Sequence, residues 1–172
     1  NISKEISFVT SATMAEIITL EVKAITAGSA VSGGNITDDG GSAVQSRGLV
    51  WSTSEYPTIF DAAKVECGSG EGTFSGTITG LKPNTSYYVR AYATTSVGTA
   101  YGDDIRFTTL VDMPTVGDVV VSSKKSTSAK ISASLLSDGG ETPNQVGFYY
   151  STSDKVNPDS SQKIISSLSG KR

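Results

Sequence analysis

An all-β fold built from sandwich domains is what this sequence predicts, on three observations. Apolar and polar residues alternate at period two in one segment after another, as in Glu16-Ile-Ile-Thr-Leu-Glu-Val-Lys23 and Thr73-Phe-Ser-Gly-Thr-Ile-Thr79, which is the signature of half-buried strands. No window sustains the i, i+3, i+4 apolar stripe of a helix. Serine (27), threonine (20) and glycine (18) dominate the 172 residues and only 18% are charged, a composition that suits pleated strands between glycine-rich turns.

The same composition removes several function classes. Histidine is absent, which takes away the commonest general base, the commonest metal ligand and any triad built on it. One cysteine excludes an intrachain disulfide and a thiolate zinc cluster. With 14 basic and 17 acidic residues there is no positive field to hold nucleic acid. No apolar run approaches the ~18 residues of a membrane-inserted helix. Serines and carboxylates are numerous, yet without histidine, a lysine–serine motif or an oxyanion loop they describe no nucleophile. Gly68-Ser-Gly-Glu-Gly72 lacks the Lys-Ser/Thr of a phosphate loop and precedes a strand, so it reads as a turn. The expectation is a non-enzyme with no cofactor.

Sliding the chain against itself gives one register, an offset of 99 residues. Gly48-Leu-Val-Trp-Ser-Thr-Ser54 falls on Gly147-Phe-Tyr-Tyr-Ser-Thr-Ser153, and Asp39-Gly-Gly41 on Asp138-Gly-Gly140. Ile6, Phe8 and Thr10 fall on Ile105, Phe107 and Thr109. A period near ~100 residues is that of a whole immunoglobulin-like sandwich. The register divides the chain into 1–13, the last strand of a preceding repeat or a linker; 14–112, a complete repeat; and 113–172, the N-terminal part of a second. Three explanations stay open: a segment of a longer repetitive polypeptide, a chain whose missing strands come from a neighbour, or a complete protein with an eroded second domain. The linker Leu110-Val-Asp-Met-Pro114 lacks glycine and contains proline, so it reads as semi-rigid and the string of modules as an extended rod.

Within the complete repeat the elements follow in order. Strand A is expected near Ile17–Lys23 and B near Ser29–Ile36, with a bulge at Gly33-Gly34. The turn Thr37-Asp-Asp-Gly-Gly41 carries residues that tolerate left-handed backbone. Strand C is expected over Ser46–Thr53, then an irregular connection through Pro57 and a short edge strand near Lys64. Strand E is placed at Thr73–Thr79. Strand F lies in Leu81-Lys-Pro-Asn-Thr-Ser-Tyr-Tyr-Val-Arg-Ala-Tyr-Ala93, and strand G at Asp104–Thr109.

The spacing Leu81-x-Pro83-x-Thr-x-Tyr87-x-Val resembles the E–F corner and F strand of fibronectin type III domains. The resemblance implies that Tyr87 is the corner tyrosine whose hydroxyl bonds back to the loop, with Leu81, Pro83 and Trp51 as structural partners. Taken with Asp-Gly-Gly, Arg-Gly-Leu-Val-Trp-Ser-Thr-Ser and Gly-Thr-Ala-Tyr-Gly, the chain resembles tandem repeats of secreted and surface proteins of Bacteroidota. That family implies export to the cell surface, a spacer or adhesive role, and attachment to surface machines or glycan-handling proteins. The partners it implies are neighbouring repeats and other surface proteins or glycans. Tyr150 stands where the first repeat has Trp51, a departure that keeps the aromatic class.

Two groups of residues are candidates for function. If Tyr87, Val89 and Ala91 face inward, then Tyr88, Arg90 and Tyr92 point outward, where they suit stacking on sugars or anchoring a protein. The plainer reading is cross-strand packing on a solvated face. Asp38, Asp39, Asp103 and Asp104 are expected to gather at one pole, as oxygen ligands for calcium or simply as turn residues. Cys67 reads as a small, half-buried edge residue.

Overall fold

The computed structural model describes residues 10–60, 62–152, 156, 159 and 162–166. The segment 1–9, read above as part of a preceding repeat, lies outside them. Two compact units divide the chain, 1–111 and 112–172, and no helix occurs among the described residues.

The first unit contains β1 (Glu16–Lys23), β2 (Ser29–Asp38), β3 (Ser46–Ser52), β4 (Ala63–Glu66), β5 (Gly72–Thr79), β6 (Ser86–Thr94), β7 (Thr99–Tyr101) and β8 (Ile105–Thr108). One sheet runs β1-β2-β5; the other runs β4-β3-β6, with β7 and β8 both paired to the remaining edge of β6. Every pairing is antiparallel. Period-two alternation sends one face of each strand between the sheets. Ala30, Ile36, Leu49, Trp51, Phe74, Ile78, Val89, Ala91 and Phe107 meet there in a single core. Each large side chain so buried contributes roughly 1.5–3 kcal/mol, which offsets the entropy of ordering the strands.

Two details differ from the sequence reading. Residues Gly33 and Gly34 pair with Ser75 and Phe74 in an unbroken register; the register shifts lie in the β1–β2 ladder, between Glu16 and Ile17 and between Leu20 and Lys23. The glycines answer a packing need instead. A Cβ at Gly33 would lie 2.2 Å from the Phe74 carbonyl oxygen, and one at Gly34 would lie 2.6 Å from the Phe74 ring. The second difference is strand G, which is two pieces. It starts at Thr99, within the Gly-Thr-Ala-Tyr-Gly motif, and breaks at Gly102–Asp104 before resuming as β8. At the break the Ala91 amide loses its ladder partner and donates to Thr19 Oγ1 at 3.0 Å.

The second unit contains β9 (Thr115–Val116), β10 (Val120–Ser122), β11 (Lys130–Ser132), β12 (Leu135–Ser137), β13 (Val146–Tyr150) and β14 (Gln162–Ser166). Its pairings repeat those of the first unit at the offset of 99, except that Val120↔Ser132 stands one residue off Leu20↔Gly33. Gly147↔Ile165, Phe148↔Ile164, Tyr149↔Lys163 and Tyr150↔Gln162 reproduce Gly48↔Glu66 through Trp51↔Ala63. Val116↔Leu135 and Ser122↔Lys130 reproduce Ile17↔Ile36 and Lys23↔Val31. The recurrence extends to single bonds: Asp112 N–H donates to Gly139 O as Thr13 N–H does to Gly40 O, both at 2.8 Å. Even a left-handed residue recurs, Ala24 at φ 48° and Ser123 at φ 49°.

Candidate partner surface on the five-stranded sheet

Strand register fixes which side chains meet on the outer face of the β4-β3-β6 sheet. Gly48, Tyr92 and Tyr101 form one row, Lys64, Val50 and Arg90 a second, and Ser52, Tyr88 and Arg106 a third. These residues do alternate with the core-facing set, as the sequence predicts. They are not the open tyrosine–arginine patch expected from it.

Tyr92 is only 2% exposed and Val50 0%, although neither belongs to the core between the sheets. The reason is twofold. Gly48 has no side chain, and the Tyr92 ring lies across it: a Cβ there would stand 2.9 Å from Tyr92 Cε1. The connection after β3 also folds back over the sheet. Its Tyr56 amide donates to Asp104 Oδ2 at 3.3 Å, its Ile59 amide donates to Tyr101 Oη at 3.1 Å, and Pro57 is buried beneath. Burial, then the neighbouring Glu66 carboxylate, raise the Tyr92 phenol above its ordinary range, while a hydrogen bond with Ser46 opposes them.

Arg90 is likewise engaged. Its Nε donates to Gly102 O at 2.8 Å, and its guanidinium lies 4.7 Å from the Tyr101 ring centroid and 5.9 Å from that of Tyr56. Planar, weakly hydrated guanidinium suits this sandwich between rings. Tyr88 is half-buried and donates to Glu55 Oε1 at 3.2 Å; desolvation first, then Glu55, push its phenol upward. Of the three predicted surface residues, Tyr88 keeps accessible area, Arg90 braces a loop, and Tyr92 is withdrawn.

Among the described residues of this unit, the most exposed aromatic side chains are two that the sequence pattern does not single out. Tyr56 is 66% exposed and Phe60 89%. Both lie in Glu55-Tyr-Pro-Thr-Ile-Phe60, and the legible signal was two large aromatics in a stretch where turn residues are usual. Tyr56 lies over the Arg90 guanidinium beside Tyr101.

The aspartates do not gather as expected. Asp38, Asp39 and Glu71 bring carboxylate oxygens within 4.8 Å of one another. Asp103 and Asp104 instead occupy the break in strand G, alongside the middle of β6. The F–G turn that meets the Asp38–Asp39 end is 95–98, and it offers Ser96 Oγ to Ser42 Oγ at 2.7 Å. Each acid of the cluster serves the backbone: Asp38 Oδ1 accepts from Gly40 N, Asp39 Oδ1 from Gly41 N and Glu71 Oε1 from Asp39 N. This is the turn chemistry of aspartate.

The structural residues behave as a unit. Tyr87 Oη accepts from the Lys82 amide at 3.0 Å, and its ring stacks on Phe107 with centroids 5.9 Å apart. Leu81 is buried, Pro83 half-buried, and Trp51 is in the core opposite Val89. Thr109 Oγ1 fastens the corner by donating to Lys82 O at 2.6 Å and accepting from Thr85 N at 2.9 Å. Cys67, half-buried beside β4, has its thiol raised by burial and lowered in part by Arg47.

No protein-family model matches the chain, and no curated protein matches it by sequence. Solved structures do resemble it. The sensor domain of the anti-sigma factor RsgI4 of Pseudobacteroides cellulosolvens is 23% identical, with 58% of this chain covering 98% of that one at a TM-score of 0.44. The sixth fibronectin type III domain of a human fibronectin type III domain containing protein is 24% identical, over 64% of this chain and 98% of its own, at 0.41. A fibronectin type III domain of the human KIAA0970 protein is 18% identical, over 63% and 85%, at 0.38. A three-stranded sheet facing a five-stranded one, whose β7 and β8 are the two pieces of strand G, together with the tyrosine corner, makes the first unit a fibronectin type III-like β-sandwich.

Proposed function

We propose that this chain belongs to a tandem array of fibronectin type III-like repeats in a larger bacterial surface or secreted protein, where it acts as a non-catalytic spacer and protein-interaction scaffold. In this reading 1–13 closes one repeat, 14–112 is a whole repeat and 113–172 opens the next. The observation that carries it is the recurrence of backbone pairing at the offset of 99, down to single bonds. A chain that repeats a whole module in this way gains length by addition, each module stabilised mainly from within. Surface location rests on the resemblance to Bacteroidota repeats. Brief proteolysis of intact source cells tests it: release of peptides from 14–112 is expected, and their appearance only after lysis overturns the surface reading.

A second reading, a carbohydrate-binding accessory module of a glycan-degrading system, is favoured by the exposed Tyr56 over the Arg90 guanidinium, with the half-buried Tyr88 bonded to the adjoining Glu55. Exposed aromatic faces held by a loop tied down to a sheet are what sugar rings stack upon. A glycan array probed with the chain decides it. Binding lost on Tyr56→Ala plus Tyr88→Ala supports this reading, and silence of the unaltered chain removes it.

A further inference from the structure

Among the described residues of the first unit, three of the four sheet edges are guarded. β1 carries Glu16, Glu21 and Lys23, and its ladder with β2 shifts register twice. β4 is four residues long and carries Lys64 and Glu66. The edge made by β7 and β8 is broken at Gly102–Asp104 and carries Asp103, Asp104 and Arg106. Charges, short length and breaks are the devices that keep a sheet from pairing with another chain. β5 has none of them. Its eight residues pair with β2 in unbroken register, and from Gly72 to Leu81 there is neither a charge nor a proline.

The pairing with β2 fixes which groups of β5 face the open side. The Phe74 carbonyl is turned to β2, where a Cβ on Gly33 would stand 2.2 Å from its oxygen. Ser29, opposite Thr79, directs its own amide and carbonyl away from β5 to Thr26. Alternation therefore points the amides and carbonyls of Thr73, Ser75, Thr77 and Thr79 at the open edge, and the side chains of all four are exposed. Arg47 Nη1 donates to the carbonyls of Gly70, Glu71 and Gly72. Beyond that point no strand pairs with this edge among the described residues.

We infer that β5 is a pairing edge for a second copy of this chain, the two β5 strands running antiparallel about Gly76. In that register the strand is complementary to itself. Thr73 faces Thr79 and Ser75 faces Thr77, so each open backbone group meets an open group and each hydroxyl meets a hydroxyl. Antiparallel pairing also sets opposite ends of the strand side by side. One end holds the carboxylates of Asp38, Asp39 and Glu71, and just past the other stands the exposed Lys82. A twofold contact uses one patch twice, and along this strand it opposes no like charges. The inference rests on the interaction-scaffold reading and names one of its surfaces, without using where the protein resides.

Sedimentation velocity of the 172-residue protein between about 10 μM and 1 mM tests it, together with amide exchange of β5 read by NMR over the same range. A reversible dimer is expected. As it forms, the amides of Thr73, Ser75, Thr77 and Thr79 slow at least about tenfold, while those of Phe74, Gly76 and Ile78, already bonded to β2, change less. Ser75→Lys plus Thr77→Lys sets like charges opposite each other across the twofold and weakens the dimer at least about tenfold. Ile18→Lys, at an exposed position on β1, leaves it unchanged. A protein that stays monomeric throughout the range overturns the inference. So does a dimer that the paired lysines leave intact, or one whose formation leaves the four edge amides fast, because association then lies elsewhere on the chain. Should the lysine variant not fold, the edge amides of the unaltered protein decide alone. Proteolysis of intact cells tests location and is untouched by either result, so failure here is distinguishable from failure of the surface reading.

Discussion

A hydroxyl and a phenol set the sharpest expectations at the scale of single residues. Tyr87 Oη is the acceptor for the Lys82 amide at the corner between β5 and β6. Tyr87→Phe keeps the ring on Phe107 and leaves that amide without its acceptor, for a loss of about 1–2 kcal/mol. Urea unfolding followed by Trp51, the chain's single tryptophan, measures it. Tyr92 gives a pH dependence. Burial and Glu66 hold its phenol neutral in the fold beyond the point where the unfolded chain ionises. The unfolded state therefore binds fewer protons in that window, and stability falls as pH rises. The contribution is intact below the ordinary phenol value of about 10 and is lost as pH rises from there through the raised value in the fold. The Cys67 thiol, also raised by burial, acts in the same direction from a lower pH. Tyr92→Phe should flatten the upper part of this fall, read as urea midpoints across the range.

The strands of the first unit were legible as elements because period-two alternation is itself the physical cause of a half-buried strand. The break in strand G was not. Gly98-Thr-Ala-Tyr-Gly102 has the composition of a turn, and only pairing with β6 makes its middle three residues a strand. The break transfers an obligation to β1, whose Thr19 hydroxyl accepts from the Ala91 amide inside the sandwich. Thr19→Val preserves shape and orphans a buried donor, so a loss of about 1–3 kcal/mol is expected, with faster exchange of the Ala91 amide as its specific mark. The candidate surface was half legible for a related reason. Alternation correctly put Tyr88, Arg90 and Tyr92 on one face. The loop that covers Tyr92 and engages Arg90 is tied by contacts across more than forty residues, and no local pattern encodes such a contact.

At the scale of the whole chain, the offset of 99 read from identities also names which backbone groups pair, because register follows from where the strands start and which face is apolar. Burial does not follow from it. Leu49 and Phe148 hold matched positions in matched pairings, yet Leu49 is buried and Phe148 only half so. Leu49→Ala should cost about 2–5 kcal/mol and Phe148→Ala less than about 1 kcal/mol, since the second leaves no enclosed cavity. Calorimetry of the two variants distinguishes them. Partner identity was illegible for a different reason: a sandwich fixes where loops stand and leaves their chemistry to each sequence.

The loop that folds over Val50 and Tyr92 also implies an order of events in folding. Its ties reach Tyr101 and Asp104, 42 and 48 residues onward, so it has nothing to close upon until strand G has docked. Contacts of such long sequence separation incur their closure entropy late. Val50 should thus be sealed after the transition state, while Val89, between the sheets, is sealed before it. Val50→Ala is expected to speed unfolding by about tenfold and change the folding rate by less than about twofold. In stopped-flow traces the outer face of this sheet would be the last part of the domain to shed water and the first to regain it.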